Sequence, residues 1–164
     1  MRGDEFLSPV RELCMTVLMT PDMANFAGNV HGGAILRLLD QVAYACASRY
    51  AGCYVVTLSV DQVTFREPIH VGELVSFLAM VNYVGTSSME VGIKVVAENI
   101  QTQTVRHANS CFFTMVAVDE ARKPIKAPAF KPETTTDFRR FEAAQKRRQQ
   151  RQTTASPVLD AGQA

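Results

Sequence analysis

The sequence predicts an α+β domain in which an antiparallel β-sheet wraps around one long central helix. Three observations carry this expectation. Residues 32–51 place apolar side chains at Ile35, Leu36, Leu38, Leu39, Val42, Ala43 and Cys46, which cover more than one helical stripe, so this helix needs cover on most sides. From residue 55 to 118 the period changes to two, the mark of strands with one buried face. The connections between the last strands are short, which favours antiparallel pairing. A sheet curled around the helix satisfies both the enclosed helix and the one-sided strands.

Taken in order, the chain opens with a strand over about 11–19 and a loop through Pro21 to Val30. His31-Gly32-Gly33 then starts the helix and Gly52 ends it. Val56, Leu58 and Val60 alternate with Thr57, Ser59 and Asp61, after which Val63 and Phe65 take the opposite parity. Such a slip predicts a β-bulge near Asp61-Gln62. Pro68 to Gly72 reads as a turn, 73–84 as a strand, and Gly85-Thr86-Ser87-Ser88 as the next turn. Met89, Val91, Ile93, Val95 and Ala97 alternate with mostly polar residues, Asn99 to Thr104 turns, and 105–118 predicts a strand buried on both faces. The domain is expected to span 1–132. From 133 the composition shifts: 139–152 predicts a basic helix, either in a solvated tail or as a docking segment for a partner subunit or an anionic ligand, and the final TTASPVLDAGQA predicts disorder.

Composition narrows the function. The 17 Lys+Arg balance 16 Asp+Glu, so no basic face for nucleic acid is expected. Cys14, Cys46, Cys53 and Cys111 form no CxxC pair, so no metal site is expected and buried, reduced thiols are. Charges at Arg2, Asp4, Glu5, Arg11 and Glu12 interrupt any apolar leader, and no stretch approaches the roughly 20 apolar residues of a membrane span. The expectation is a soluble, cytoplasmic protein.

Three features can carry chemistry, each with a plainer reading beside it. Asp40 shares a helix face with Leu36, Ala43, Tyr44 and Ala47; a carboxylate on so apolar a helix pairs with a partner such as Arg37, reaches solvent, or works as a catalyst. Gly32 and Gly33 leave backbone N–H groups uncovered at a helix start, where an anion or a polarised carbonyl can bind. They equally serve a tight turn, with His31 as a cap. Asn25 can position water or a carbonyl, or bond only its own backbone.

Together, however, Asn25 through Asp40, NFAGNVHGGAILRLLD, resemble the active-site signature of the hotdog-fold thioesterases, specifically the cytosolic acyl-CoA hydrolase group. Val60-Asp61-Gln62-Val63-Thr64-Phe65-Arg66-Glu67-Pro68-Ile69 and Gly85-Thr86-Ser87-Ser88-Met89-Glu90-Val91 resemble the following strand and the next turn of the same group. The similarity covers about 10–128 and excludes the basic tail. It implies a hotdog fold and hydrolysis of fatty acyl-CoA to free acid and CoA. Asp40 would act as general base or nucleophile, Asn25 would orient water or substrate, and the Gly32 and Gly33 N–H groups would hold the oxyanion. A carboxylate buried near apolar groups would suit a base near neutral pH.

The resemblance also implies a homodimer as the minimal unit, with Asn25 and the helix start from one chain and Asp40 from the other, and a trimer of dimers beyond it. No cofactor is implied other than coenzyme A as part of substrate and product. The CoA end would lie near Thr86, Ser87 and Ser88, with Arg66 and Arg106 toward its phosphates and His31 near the substrate. Two other functions compete. Hotdog hydratases and dehydratases use an Asp–His pair, but no Asp stands at Asn25, and Asp22 lies nine residues before His31. A non-catalytic CoA- or nucleotide-binding regulatory domain would have no use for Asn25 and Asp40 together.

Overall fold

The computed structural model describes residues 9–154. Its elements follow the expected order: β1 (Glu12–Leu18), α1 (Gly32–Ala51), β2 (Val55–Asp61), β3 (Leu74–Val84), β4 (Ser88–Asn99), β5 (Thr104–Ala117) and α2 (Thr135–Thr154). The strands form one sheet in the order β1-β3-β4-β5-β2, antiparallel throughout. Consecutive strands β3, β4 and β5 sit side by side because their turns are short. The connection through α1 sends β1 and β2 to opposite edges.

Helix α1 lies across the inner face of this sheet. Ile35, Leu39, Val42, Ala43, Cys46 and Ala47 are buried against Val75, Phe77 and Val81 of β3, Val91, Ile93 and Val95 of β4, and Cys111, Phe113 and Met115 of β5. Burying a large side chain of this kind contributes about 1.5–3 kcal/mol relative to leaving it in water. Gly52 closes α1 in the left-handed conformation at φ 68°, with its N–H donated to Ser48 O. That conformation costs other residues more.

The expectation of an enclosed helix is corrected. One stripe of α1, carrying Leu36, Arg37, Asp40, Gln41, Tyr44 and Ala45, is exposed, because the sheet of a single chain curls over one side only. The neighbouring edge strand β2 is bare as well, with Tyr54, Leu58 and Val60 largely in solvent. The bulge is displaced too. The register against β5 slips between Thr57 and Ser59, and β2 stops at Asp61. Gln62 then takes φ 33°, so Val63 and Phe65 leave the sheet instead of extending the strand. Strand β5 is buried on both faces only from Ala108 onward; Thr104 and Val105 are open.

The second correction concerns the C-terminal segment. It is not solvated: α2 packs on the outer face of the sheet, opposite α1. Its start is fixed by a capping box, in which Thr134 Oγ1 accepts Asp137 N–H and Asp137 Oδ2 accepts Thr134 N–H. Asp137 also takes both Arg11 guanidinium N–H groups at 2.8 and 3.0 Å. Farther along, Arg147 donates to both oxygens of buried Glu90 and stacks 3.6 Å from the centre of the Phe112 ring. Arg151 pairs with Asp61, and Arg148 donates to Tyr83 OH at 2.7 Å. The expected disorder over 153–164 is replaced by helix at Thr153 and Thr154, and the remainder lies outside the described residues.

Of the four thiols, Cys46 and Cys111 are buried, and burial pushes each up to about 12. Cys14 departs from the expected burial because it lies on edge strand β1 and is exposed, while Cys53 is half-buried. No helix among the described residues is long and apolar enough to cross a membrane.

Candidate active site

The loop before α1 is a rigid turn built by Asn25. Its carbonyl accepts Gly28 N–H at 3.0 Å, its N–H donates to Asn29 O at 2.7 Å, and its Oδ1 accepts the Ala27 and Asn29 N–H groups at 2.9 and 3.2 Å. Gly28 completes the turn at φ 79°. The side-chain oxygen is therefore committed to the local backbone, and what Asn25 offers a ligand is its amide N–H pair.

From this turn the chain pairs with the segment 67–73. Asn29 bridges His70, Val30 N–H donates to Ile69 O at 2.7 Å, and Asn29 Oδ1 meets His70 Nδ1 at 2.8 Å. Glu73 holds that segment by accepting His70 N–H at 2.8 Å. Arg106 in turn grips Glu73 with two N–H groups at 2.5 and 2.7 Å, reaches Pro68 O at 2.6 Å and pairs with Glu67 at 3.1 Å. The Arg106 hydrogen bond holds the buried Glu73 carboxyl below the usual carboxylate range. Arg106, expected near CoA phosphates, braces the 67–73 segment against which the Asn25 loop pairs. Arg66 is exposed, with its backbone N–H on Ala108 O.

His31 caps α1: its Nδ1 accepts Gly33 N–H at 3.1 Å. Gly33 therefore has its N–H in use within this chain, whereas Gly32 N–H has no partner among the described residues. The Phe65 ring lies 3.7 Å from where a Cβ on Gly32 would stand, so the irregular segment after β2 screens the helix start.

Asp40 stands eight residues farther along α1, roughly 12 Å down the axis at 1.5 Å per residue. It is exposed, one of the alternatives its place on the helix left open. Thr57 of β2 donates its hydroxyl to Asp40 Oδ1 at 2.7 Å. The two residues open into a cavity of about 320 Å³ lined also by Gln41, Tyr44, Tyr54, Val55 and Val56. Thr57 joins Asp40 at this cavity although nothing in the sequence singled it out; its only signal was a polar side chain on the strand after the helix.

The predicted residues thus fall into separate groups. Asn25, His31, Gly32 and Gly33 cluster at the start of α1, while Asp40 and Thr57 lie two turns away. Thr86, Ser87 and Ser88 sit at the β3–β4 turn, where Ser88 O accepts Gly85 N–H and the Ser87 and Thr86 carbonyls accept Ala117 and Ala127 N–H. Ser88 lines a second cavity of about 590 Å³ with Thr114, Arg148 and Arg151, on the sheet face away from α1. A carboxylate with a hydroxyl fixing one oxygen can act as a base, and a helix start with a free N–H can receive developing negative charge. Within a single chain they do not meet.

Residues 27–104 match the family model described as "Thioesterase superfamily". Protein VdlD of Helicobacter pylori is 52% identical over 140 residues, 85% of this chain and 80% of that protein. An apo-hexameric acyl-CoA thioesterase superposes with a TM-score of 0.85 at 33% identity, covering 90% of this chain and 94% of that one. The acyl-CoA hydrolase of Staphylococcus aureus, solved with butyryl coenzyme A, coenzyme A and coenzyme A disulfide, gives 0.80 at 30% identity over 87% of each chain.

Proposed function

The chain belongs to the hotdog-fold acyl-CoA thioesterases, and from that premise we propose that it hydrolyses fatty acyl-CoA at a site shared between two copies. The observation that carries this reading is Asp40, held on a bare helix face by the Thr57 hydroxyl and open to a cavity. The S. aureus hydrolase has been solved with an aspartate, an asparagine or a threonine replaced by alanine. In that enzyme the aspartate lies 15 residues after the asparagine and 17 before the threonine. Asn25, Asp40 and Thr57 keep the same separations here.

In the proposed reaction the Thr57 hydroxyl occupies Asp40 Oδ1 and leaves Oδ2 free. That oxygen takes a proton from water as the water attacks the thioester carbon, or attacks the carbon itself. Charge then gathers on the carbonyl oxygen. Gly32 N–H, the Asn25 amide and Gly33 N–H, once released from His31, are the donors suited to receive it. The C–S bond breaks, and the CoA thiolate leaves without a strong general acid because it is a good leaving group. In the general-base route Asp40 then returns its proton to the thiolate. In the nucleophilic route water cleaves the acyl anhydride left on Asp40 and the thiolate takes a proton from that water, so that either way free acid and CoA depart.

Asn25 and Gly32 come from one copy and Asp40 from the other, since roughly 12 Å separates them in one chain. The bare stripe of α1, with Leu36, Tyr44 and Ala45 among Arg37, Asp40 and Gln41, and the open edge of β2 form a face suited to a contact with a second copy. A trimer of dimers is the further assembly, by analogy with the hexameric relative. Thr86, Ser87, Ser88 and Arg66 remain free to meet the CoA moiety. Arg106, already bound to Glu73 and Glu67, is the weakest of the proposed CoA contacts.

The test is thiol release from acyl-CoAs of C2 to C18 by the wild type and Asp40→Ala. Hydrolysis that falls at least about 100-fold in the variant is expected. No release from any acyl-CoA would refute the function. Full activity in the variant would move the chemistry off Asp40.

A further inference from the structure

Phe26 is the most exposed large apolar side chain among the described residues, at 112% of its reference area. A lone exposed ring is ordinary on a protein surface. This one is unusual because the backbone on both sides of it is pinned. It sits inside the Asn25 turn, between an Asn25 Oδ1 that fixes the Ala27 and Asn29 N–H groups and a carbonyl that fixes Gly28. Below, Asn29 meets His70, His70 is held by Glu73, and Glu73 by Arg106. A loop whose backbone is pinned and which presents an aromatic ring outward suits an anchor, because only the ring's own rotamers remain to be ordered when it docks.

The same chain carries a receptor for a ring. The Asp40 cavity is walled by Tyr44 and Tyr54, which meet edge-on with centroids 5.8 Å apart, and by Val56. Both tyrosines are substantially exposed, as is Leu36 one turn before Asp40. Aromatic side chains gain from edge and offset contacts with a third ring. Continuous with this cavity is the bare edge of β2, where a second copy pairs in the shared-site reading.

We propose that Phe26 of one copy docks against Tyr44 and Tyr54 in the Asp40 cavity of a second copy, where it sets which acyl groups the site accepts. This inference rests on the shared-site thioesterase reading. Asn25 and the opposing Asp40 must both come within about 3–3.5 Å of one thioester or its attacking water. The Cα of Phe26 is about 3.8 Å from that of Asn25. A turn that delivers the Asn25 amide to the reaction therefore brings the Phe26 backbone to the rim of the same cavity, with the ring within reach of it. Once there it takes up space beside the acyl group and removes water from the Asp40 side.

The chain has no tryptophan, so Phe26→Trp installs a single reporter. Its emission in the assembled protein is expected to lie to the blue of free indole and to resist acrylamide quenching. Adding Tyr44→Ala or Tyr54→Ala should return it toward that of free indole. In parallel, Phe26→Ala should change the ratio of kcat/KM for long against short acyl-CoAs by about 10-fold, the scale of a changed apolar pocket, with Phe26→Leu in between. A water-exposed indole in the assembled protein overturns the docking. A chain-length profile for Phe26→Ala that overlays the wild type overturns the role in selection. Should the wild type turn over no acyl-CoA, the thioesterase reading falls with the selection role, and the indole emission still decides the docking.

Discussion

Thr57→Val removes the hydroxyl that holds Asp40 and leaves the rest of the strand alone. The bond is 2.7 Å long and its acceptor is a carboxylate oxygen, so it belongs to the class worth about 1.5–3 kcal/mol. At about 1.36 kcal/mol per decade that range corresponds to roughly 10- to 150-fold in rate. Both partners are exposed in the single chain, which favours the lower end, and we expect kcat to fall about 10- to 30-fold. Stability should move by less than about 0.5 kcal/mol, because Thr57 is a surface position and valine is an equally good strand residue. The assay is thiol release with the best acyl-CoA, resolving kcat from KM, with Thr57→Ser as the control that keeps the hydroxyl. A Thr57→Val enzyme within two-fold of wild-type kcat would refute the role given to the hydroxyl. So would a Thr57→Ser enzyme as slow as Thr57→Val.

The remaining expectations concern the scaffold. The Arg11 hydrogen bond, with help from the Thr134 cap and against burial, holds the Asp137 carboxyl well below the usual range. Its stabilisation is therefore complete above about pH 4, the ordinary aspartate value, and drains away as the pH falls further. Helix content lost on acidification should appear at higher pH in Asp137→Asn, followed by far-ultraviolet circular dichroism. Arg106→Ala leaves the buried Glu73 carboxylate without its main partner and should cost about 3 kcal/mol or more of stability, read by denaturant unfolding. Its Km for acyl-CoA should change less than that of Arg66→Ala. Iodoacetamide should modify Cys14 first and Cys46 and Cys111 last, because the buried thiols stay protonated up to about pH 12; mass spectrometry of tryptic peptides gives the order.

Much of the fold was legible because local pattern and tertiary role agree. His31-Gly32-Gly33 and Gly52 bounded α1 as the structure does, and the period-two runs became β3, β4 and β5 within a residue or two. The bulge was misplaced by a few residues. A parity change shows that a strand is interrupted, but pairing with β5 decides whether Leu58 or Gln62 absorbs it. The apolar excess of α1 was read as enclosure, although Leu36 and Tyr44 face out in a single chain. Sequence reports that a surface wants cover without saying who supplies it. Asn25, Gly32, Gly33 and Asp40 stood out because their signature is contiguous. Thr57 did not, since its partner is 17 residues away. Arg106 resembled a phosphate ligand for the same reason: Glu73, 33 residues distant, cannot be assigned to it from spacing.

Helix α2 buries little apolar surface of its own, with only Asp137 and Ala144 fully enclosed. Guanidinium groups and their stems hold it through Glu90, Asp61, Phe112 and Tyr83, beside the Phe141 ring on Tyr83 and Phe130. Contacts of this kind resemble those by which one protein grips another, and they weaken as ionic strength rises. The helix therefore behaves as a ligand that the domain carries on a leash. Residues 118–134 keep it at an effective concentration on the order of millimolar or higher, so individually modest contacts suffice to keep it seated. Cut from that leash, a peptide of residues 135–154 would need comparable concentrations to find the same face, and salt would set how often the outer sheet is uncovered.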